Sequence, residues 1–142
     1  MLTSRLQIAA ICLLNRAGEL LVVRKRHTQR FMLPGGKIEM GESSLEALIR
    51  ELKEELSLSL DPKACEQLGL FLAPAANEPD TVIEAELFMA ELDNPTLTVA
   101  AELETLAWLP LKPPYEIALA PLLSEHVLPL LNQRAEHLSK YS

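Results

Sequence analysis

The sequence predicts a single domain, either α+β or an α-β-α sandwich. Short apolar runs with strand character alternate with turn signals, one amphipathic helix interrupts them, and a second helical stretch lies near the end. A length of 142 residues suits one domain, spanning 1–142. The hydrophobic content of 49% is that of an ordinary globular protein.

The first predicted elements are a hairpin and a bend. Residues 7–14 are apolar and rich in Ile and Leu, and residues 19–26 again have strand character. The turn signal Asn15-Arg16-Ala17-Gly18 joins them, so residues 7–26 are predicted to form a β-hairpin. The apolar piece Phe31-Met32-Leu33 is then stopped by Pro34-Gly35-Gly36, a loop that must bend sharply.

The strongest prediction is a helix at about Ser44–Leu56. Ser43 is a good N-cap, and Glu46 stands three residues later, which gives a capping box. Leucine and isoleucine recur behind it at helical spacing and form an apolar stripe. The stripe consists of Leu45, Leu48, Ile49, Leu52 and Leu56.

The second half predicts further strands and one more helix. The strands are expected at 66–72, 82–92 and 106–109, with an exposed loop at 73–81 and a turn at 93–95. Residues 121–138 are expected to be helical and to be kinked or split at Pro129.

Charge and hydropathy exclude several classes of protein. The formal net charge of −7 argues against binding of polymeric nucleic acid, which normally needs a basic face. No apolar run approaches the ~20 residues of a membrane span, so no membrane partner is expected. Residues 1–7 lack the apolar core of a signal peptide, and we expect a cytoplasmic enzyme.

The predicted helix carries acid on one side. Because helical residues advance by about 100° each, Glu51, Glu54 and Glu55 share one face, away from the leucine stripe. Oxygen ligands suit a hard cation such as Mg²⁺ or Mn²⁺. A solvated acidic face is the alternative, since such faces are common on helices.

The residues before the helix favour a phosphate–metal site. Gly35-Gly36 lets backbone approach a ligand closely, and Lys37 can meet a phosphate as a point charge. Glu42 is within reach of Arg50 and would fix the loop against the helix.

Residues 36–58 resemble the Nudix box, G-x5-E-x7-R-E-U-x-E-E-x-G-U, where U is a bulky aliphatic residue. Eight positions fall on the pattern at fixed spacing, and Leu33-Pro34-Gly35 also resembles the family's approach to it. The matched positions are Gly36, Glu42, Arg50, Glu51, Leu52, Glu54, Glu55 and Leu58. One position departs, because Ser57 stands where the second glycine is expected, and this puts the helix cap in question.

The resemblance implies the Nudix fold, an α+β fold in which a mixed β-sheet is sandwiched between helices. It also implies hydrolysis of a nucleoside diphosphate linked to another moiety. By position, the metal ligands are Glu51, Glu54 and Glu55, and the Gly36 carbonyl is a further candidate. Arg50, partnered by Glu42, would orient the glutamates.

The general base is left open between the helix and a loop. In some family members the glutamate matching Glu51 takes the proton, and in others the base comes from a distant loop, for which Glu102 and Glu104 are the candidates here. Lys37 and Arg24 would hold the phosphates, and Phe31 could stack on a base. Arg24 as a plain solvent-facing residue is the alternative.

We expect a MutT-like enzyme that acts on nucleoside triphosphates or oxidised ones, with ADP-ribose and dinucleoside polyphosphates as alternatives. A non-catalytic nucleotide sensor is a second class, although sensors usually lose acidic positions of the box. A diphosphate isomerase is a third, but neither Cys12 nor Cys65 lies convincingly for catalysis. A homodimer is possible, because dimers are frequent in the family.

Overall fold

The structure is a computed structural model, and it describes residues 4–93 and 96–140. Six strands and two α-helices are found in this part of the chain. In chain order they are β1 (Ser4–Leu14), β2 (Leu20–Lys25), β3 (Gly35–Lys37), α1 (Ser44–Leu56), β4 (Glu66–Pro74), β5 (Thr81–Glu91), β6 (Leu103–Leu109) and α2 (Leu128–Lys140).

The strands form one mixed sheet in the order β4-β5-β1-β2-β6, and β3 pairs with β1 off this path. β1 runs parallel to β5 from Ser4↔Thr81 to Leu14↔Glu91, whereas the other pairs are antiparallel. The predicted hairpin is confirmed, because Leu14 pairs with Leu20. Asn15 stabilises its turn by accepting hydrogen bonds from the Ala17 and Glu19 amides.

Both faces of the sheet are covered, as the predicted sandwich requires. Alternate residues of a strand point to opposite faces, so Ala9 and Ile11 pack toward α1 while Ala10 and Cys12 pack toward α2. Leu48 and Leu52 close the first core, and Leu128 and Leu131 close the second. The sheet edge that carries β3 is thereby held next to α1.

α1 has the bounds that the sequence predicts, and its capping box is present. The Ser43 hydroxyl accepts from the Glu46 amide, and the Glu46 carboxylate accepts from the Ser43 amide. Ser57 takes the left-handed conformation of a glycine cap, with φ of 53° and ψ of 31°. The amides of Ser57 and Leu58 donate to the last carbonyls of the helix, so the missing glycine has not changed the cap.

Ser57→Gly is expected to raise the free energy of unfolding by about 0.5–1 kcal/mol. The left-handed conformation costs a side-chain-bearing residue about 1–2 kcal/mol, and the greater freedom of unfolded glycine offsets part of the gain. Urea unfolding measures the change, with Ser57→Ala as the control that keeps the cost. Equal stability of the two variants would contradict this account of the cap.

Several predicted elements differ from the structure. Gly35 and Gly36, predicted as part of a loop, begin strand β3, where they pair with β1. β4 continues to Pro74, so Ala73 is buried and does not belong to an exposed loop.

β6 begins at Leu103 rather than 106, because a bulge between Arg24 and Lys25 extends its pairing with β2. The predicted break at Pro129 is instead a π-helical turn over Leu123–Val127, in which the Leu128 amide donates to the Leu123 carbonyl. Asn94 and Pro95 of the predicted turn at 93–95 lie outside the described residues.

Within 4–93 and 96–140, no helix is long and apolar enough to span a bilayer.

Candidate active site

The glycine bend places backbone where a side chain would not fit. Gly35 has a φ of 146°, and a Cβ there would lie 2.1 Å from the Ala9 carbonyl oxygen. A Cβ on Gly36 would lie 2.5 Å from the Glu51 Cδ. The Glu51 carboxylate therefore packs directly against β3, in contact that only glycine permits.

Arg50 joins the bend, the following loop and α1. Its Nε and Nη2 donate to the two Glu42 oxygens at 2.7 and 2.9 Å, as the spacing predicts. Nη2 also donates to the Lys37 carbonyl at 3.1 Å, and Nη1 donates to Glu51 at 2.9 Å. The hydrogen bonds from Arg50 hold the pKa of Glu42 at about 2, and those to Glu42 and Glu51 raise the pKa of Arg50.

Stability is expected to fall as the pH drops from 4.5 toward 2, and Glu42→Gln is expected to flatten this dependence. Because the pKa of Glu42 is lowered from 4.5 to about 2, the native state binds fewer protons than the unfolded state in this window. Denaturant unfolding across the window measures the slope. Glu39→Gln is the control, because the Glu39 carboxylate lies farther from Arg50, at 3.9 Å, than the Glu42 carboxylate at 2.7 Å. Parallel curves for wild type and Glu42→Gln would refute the role of this pair.

The three helix glutamates occupy different surroundings. Glu55 is 7% exposed and is hydrogen-bonded to Glu51. Burial, the hydrogen bond with Glu51 and the charge of Glu51 raise the pKa of Glu55 to about 8, against a smaller effect of Lys25. Glu54 is 56% exposed, and its Oε2 lies 3.7 Å from the Arg50 Nη1.

The expected convergence of all three carboxylates needs correction. Among the described residues, no three acidic, imidazole or thiol groups are close enough together to hold an ion as they stand. The Arg50 Nη1 lies 2.9 Å from a Glu51 oxygen and 3.7 Å from a Glu54 oxygen, so both carboxylates approach this guanidinium. Glu51 and Glu55 do fit a cation, because of these two only Glu51 pairs with Arg50, and the buried Glu55 beside it has no ion pair among the described residues.

A cavity of about 520 Å³ opens beside the bend. Gly35, Gly36 and Lys37 line it on the side of α1. A more polar side comes from residues 25–28 and 101–102. The other walls are mostly apolar and come from β1, β5, the loop after β4 and the turn that precedes α2. These include Ile8, Ala10, Ile83, Leu122 and Leu123. The cavity volume is within the usual range for small-molecule sites.

Of the two loop glutamates, the structure brings Glu102 to the cavity. Glu102 lines it and lies close enough to Glu55 to raise that residue's pKa, and its Oε2 is 3.5 Å from the Lys25 Nζ. Glu104 is exposed on β6 at the bulge. Lys25, which the sequence analysis did not single out, also lines the cavity.

Arg24 and Phe31 contact each other away from the cavity walls. The Arg24 guanidinium lies 5.9 Å from the centre of the Phe31 ring, and its Nη1 donates to the Thr28 carbonyl at 2.7 Å. Phe31 packs against the core on the α2 side. Arg24 therefore contacts the turn that follows its own strand, and Lys25 is the residue of β2 whose positive charge lies at the cavity.

Comparison with known proteins identifies the Nudix family, which the sequence resembles. The NUDIX domain model matches residues 4–130. An 8-oxo-dGTP diphosphatase of Escherichia coli (strain K12) is 37% identical over 59 residues, which are 39% of this chain and 46% of that protein. An ADP-ribose pyrophosphatase of Methanocaldococcus jannaschii is 44% identical over 57 residues, 39% of this chain and 32% of that protein. The chain spans less than half the length of these relatives.

Solved structures share the fold over nearly the whole chain. The MutT protein of Methanosarcina mazei Go1 superposes with a TM-score of 0.77 at 17% identity, covering 95% of this chain and 98% of that one. The NUDIX domain of Shewanella oneidensis NrtR, complexed with ADP ribose, gives a TM-score of 0.71 at 20% identity, covering 96% and 90%. With the family match over residues 4–130, the chain belongs to the Nudix family.

Proposed function

We propose that this protein is a metal-dependent hydrolase that cuts the diphosphate bond of a nucleoside diphosphate linked to another moiety. The observation that carries the proposal is the contact between Glu51 and Glu55 beside Gly36, a residue that lines the cavity. Two touching carboxylates are unfavourable alone and become favourable around a cation. The cavity next to them has room for the organic part of a nucleotide.

Members of the Nudix family generally use divalent metal ions. Glu51 and Glu55 would hold such an ion here, with the Gly36 carbonyl and Glu54 as further ligands, and oxygen ligands favour Mg²⁺ or Mn²⁺. A bound ion would neutralise the diphosphate and lower the pKa of a bound water. Glu54 needs a change of side-chain rotamer to join the ligands, because its carboxylate faces Arg50.

The protein's own groups would then perform three tasks. Lys37 and the backbone of Gly35 and Gly36 would bind the phosphates from the bend. Glu102 would accept the proton of the attacking water, because it lines the cavity and Glu104 does not. The hydroxide attacks one phosphorus in line, and the bridging oxygen leaves with the other phosphate. Glu51 is the alternative base.

The substrate we favour is a nucleoside triphosphate, with oxidised forms included. The relatives named 8-oxo-dGTP diphosphatase and ADP-ribose pyrophosphatase share only short stretches with this chain, so ADP-ribose and dinucleoside polyphosphates are the alternatives. The site of action is proposed to be cytoplasmic, and the active form a monomer or a homodimer. Polymeric nucleic acid is not proposed as a partner.

A panel assay tests the proposal. The purified protein is incubated with Mg²⁺ and, in turn, nucleoside triphosphates, oxidised guanine nucleotides, ADP-ribose and dinucleoside polyphosphates, and released phosphate or diphosphate is measured. Turnover that requires the metal supports a hydrolase and identifies the substrate class. Nucleotide binding with no turnover on any substrate would refute the hydrolase and support the nucleotide sensor.

Cysteine placement disfavours the diphosphate isomerase. Cys12 is 0% exposed in the core on the α2 side, and burial raises its pKa to about 12. Cys65 lies between the turn Pro62–Ala64 and β4, packed against the core on the α1 side. Neither thiol lines the cavity.

A further inference from the structure

Two short segments meet at the cavity wall. Residues 25–28 comprise the end of β2 and the turn after it, residues 101–102 precede β6, and both segments contribute to the lining. Each contains a non-glycine residue in the left-handed region, His27 with a φ of 65° and Ala101 with a φ of 55°. Such conformations persist only where surrounding contacts impose them, and they cluster at functional sites.

Arg26 makes the contacts that join these segments. Its amide donates to the Glu102 carbonyl at 2.9 Å. Its guanidinium Nη2 donates to the Ala101 carbonyl. The two accepting carbonyls lie on either side of the Glu102 Cα, so Arg26 determines where the Glu102 side chain begins.

The side chain of Glu102 has little else to hold it. It is 78% exposed, and its recorded partner among the described side chains is Lys25, at 3.5 Å. An exposed ion pair of this length contributes little on its own. The backbone of residues 100–103 is also anchored to α1, because the Ala100 amide donates to the Glu55 carbonyl at 2.9 Å. Arg26 therefore completes a connection from β2 through Glu102 to the carboxylate helix.

We infer that Arg26 is a positioning residue that acts through Glu102 and holds that carboxylate at the cavity beside Glu55. The inference rests on the proposed function, in which Glu102 accepts the proton of water. Without the Arg26 guanidinium, the Ala101 carbonyl loses its partner and the segment is free to leave the left-handed conformation. A carboxylate displaced by about 1 Å can lose about a hundredfold in rate.

The test compares Arg26→Met, Arg26→Lys, Glu102→Gln and the double variant Arg26→Met/Glu102→Gln, with Arg30→Met as the matched control. Arg30 is an exposed arginine of the same loop that does not line the cavity. We expect Arg26→Met to lower kcat about tenfold to a hundredfold with little change in KM. Arg26→Lys keeps one donor and should restore most of kcat. Arg26→Met should have no further effect in the Glu102→Gln background.

Hydrogen exchange of the amides in 98–104 gives a readout that does not need turnover. Arg26→Met should speed exchange in this segment, and Arg30→Met should not. Unchanged exchange, or additive losses of kcat in the double variant, would overturn the inference. An inactive wild type would also overturn the inferred catalytic role. If Arg26→Met nevertheless speeds exchange, the contact of Arg26 with residues 101–102 is real, and the hydrolase assignment is what failed.

Discussion

Glu54→Gln is expected to lower turnover by about 10³-fold, with the fold unchanged. Loss of one carboxylate at a site built to hold charge or to move a proton costs about 10²–10⁴-fold in rate. The effect on stability should be small, because Glu54 is 56% exposed and its carboxylate approaches Arg50 only to 3.7 Å. Steady-state kinetics with Mg²⁺ and the best substrate of the panel measure the loss.

The matched control for this variant is Glu125→Gln, an exposed glutamate in the π-helical turn before α2. It should keep wild-type turnover, and thermal unfolding of both variants should coincide with that of the wild type. Wild-type turnover in Glu54→Gln would show that Glu54 takes no part in metal binding or catalysis and is an exposed residue beside Arg50.

Gly36→Ala is expected to lower turnover about a hundredfold while the protein remains folded. The φ of Gly36 is one that alanine adopts, but the new Cβ would lie 2.5 Å from the Glu51 Cδ. The Glu51 carboxylate is the far end of a flexible side chain, so we expect it to move while the backbone stays in place. This movement would separate it from Glu55. A displacement of about 1 Å is enough for this loss.

The neighbouring Gly35→Ala provides the contrast. Its Cβ would lie 2.1 Å from the Ala9 carbonyl, and the φ of 146° is unsuited to alanine, so this variant should fail to fold stably. Circular dichroism and unfolding curves separate the two outcomes. If Gly36→Ala binds Mg²⁺ and turns over like the wild type, the close packing of Glu51 on β3 has no role in the chemistry.

Local signals predicted the helix that carries the site. Ser43 and Glu46 fix where α1 begins, the leucine stripe fixes which face is buried, and the spacing of Glu42 and Arg50 predicts their contact. All of these act within a few residues or one turn of helix. The hairpin of β1 and β2 was predicted for the same reason, because its turn residues determine the connection.

Long-range pairing determined what the sequence did not predict. The bulge between Arg24 and Lys25 depends on the register with β6. The packing around β2 places Lys25 at the cavity and Arg24 against Phe31. Helical periodicity places Glu54 on the face of Glu51 and Glu55 but does not show that the Glu54 carboxylate is exposed beside Arg50. The contacts of Arg26 join segments about 75 residues apart, and no local pattern announces them.

The most direct test of the central claim is anomalous diffraction from crystals soaked in Mn²⁺. The account predicts an ion bound by Glu51 and Glu55 next to the Gly36 carbonyl, at metal–oxygen distances of about 2.0–2.2 Å, with Glu54 rotated away from Arg50 to join it. An empty position between these carboxylates, in crystals that hydrolyse nucleotide with the metal bound elsewhere, would contradict it.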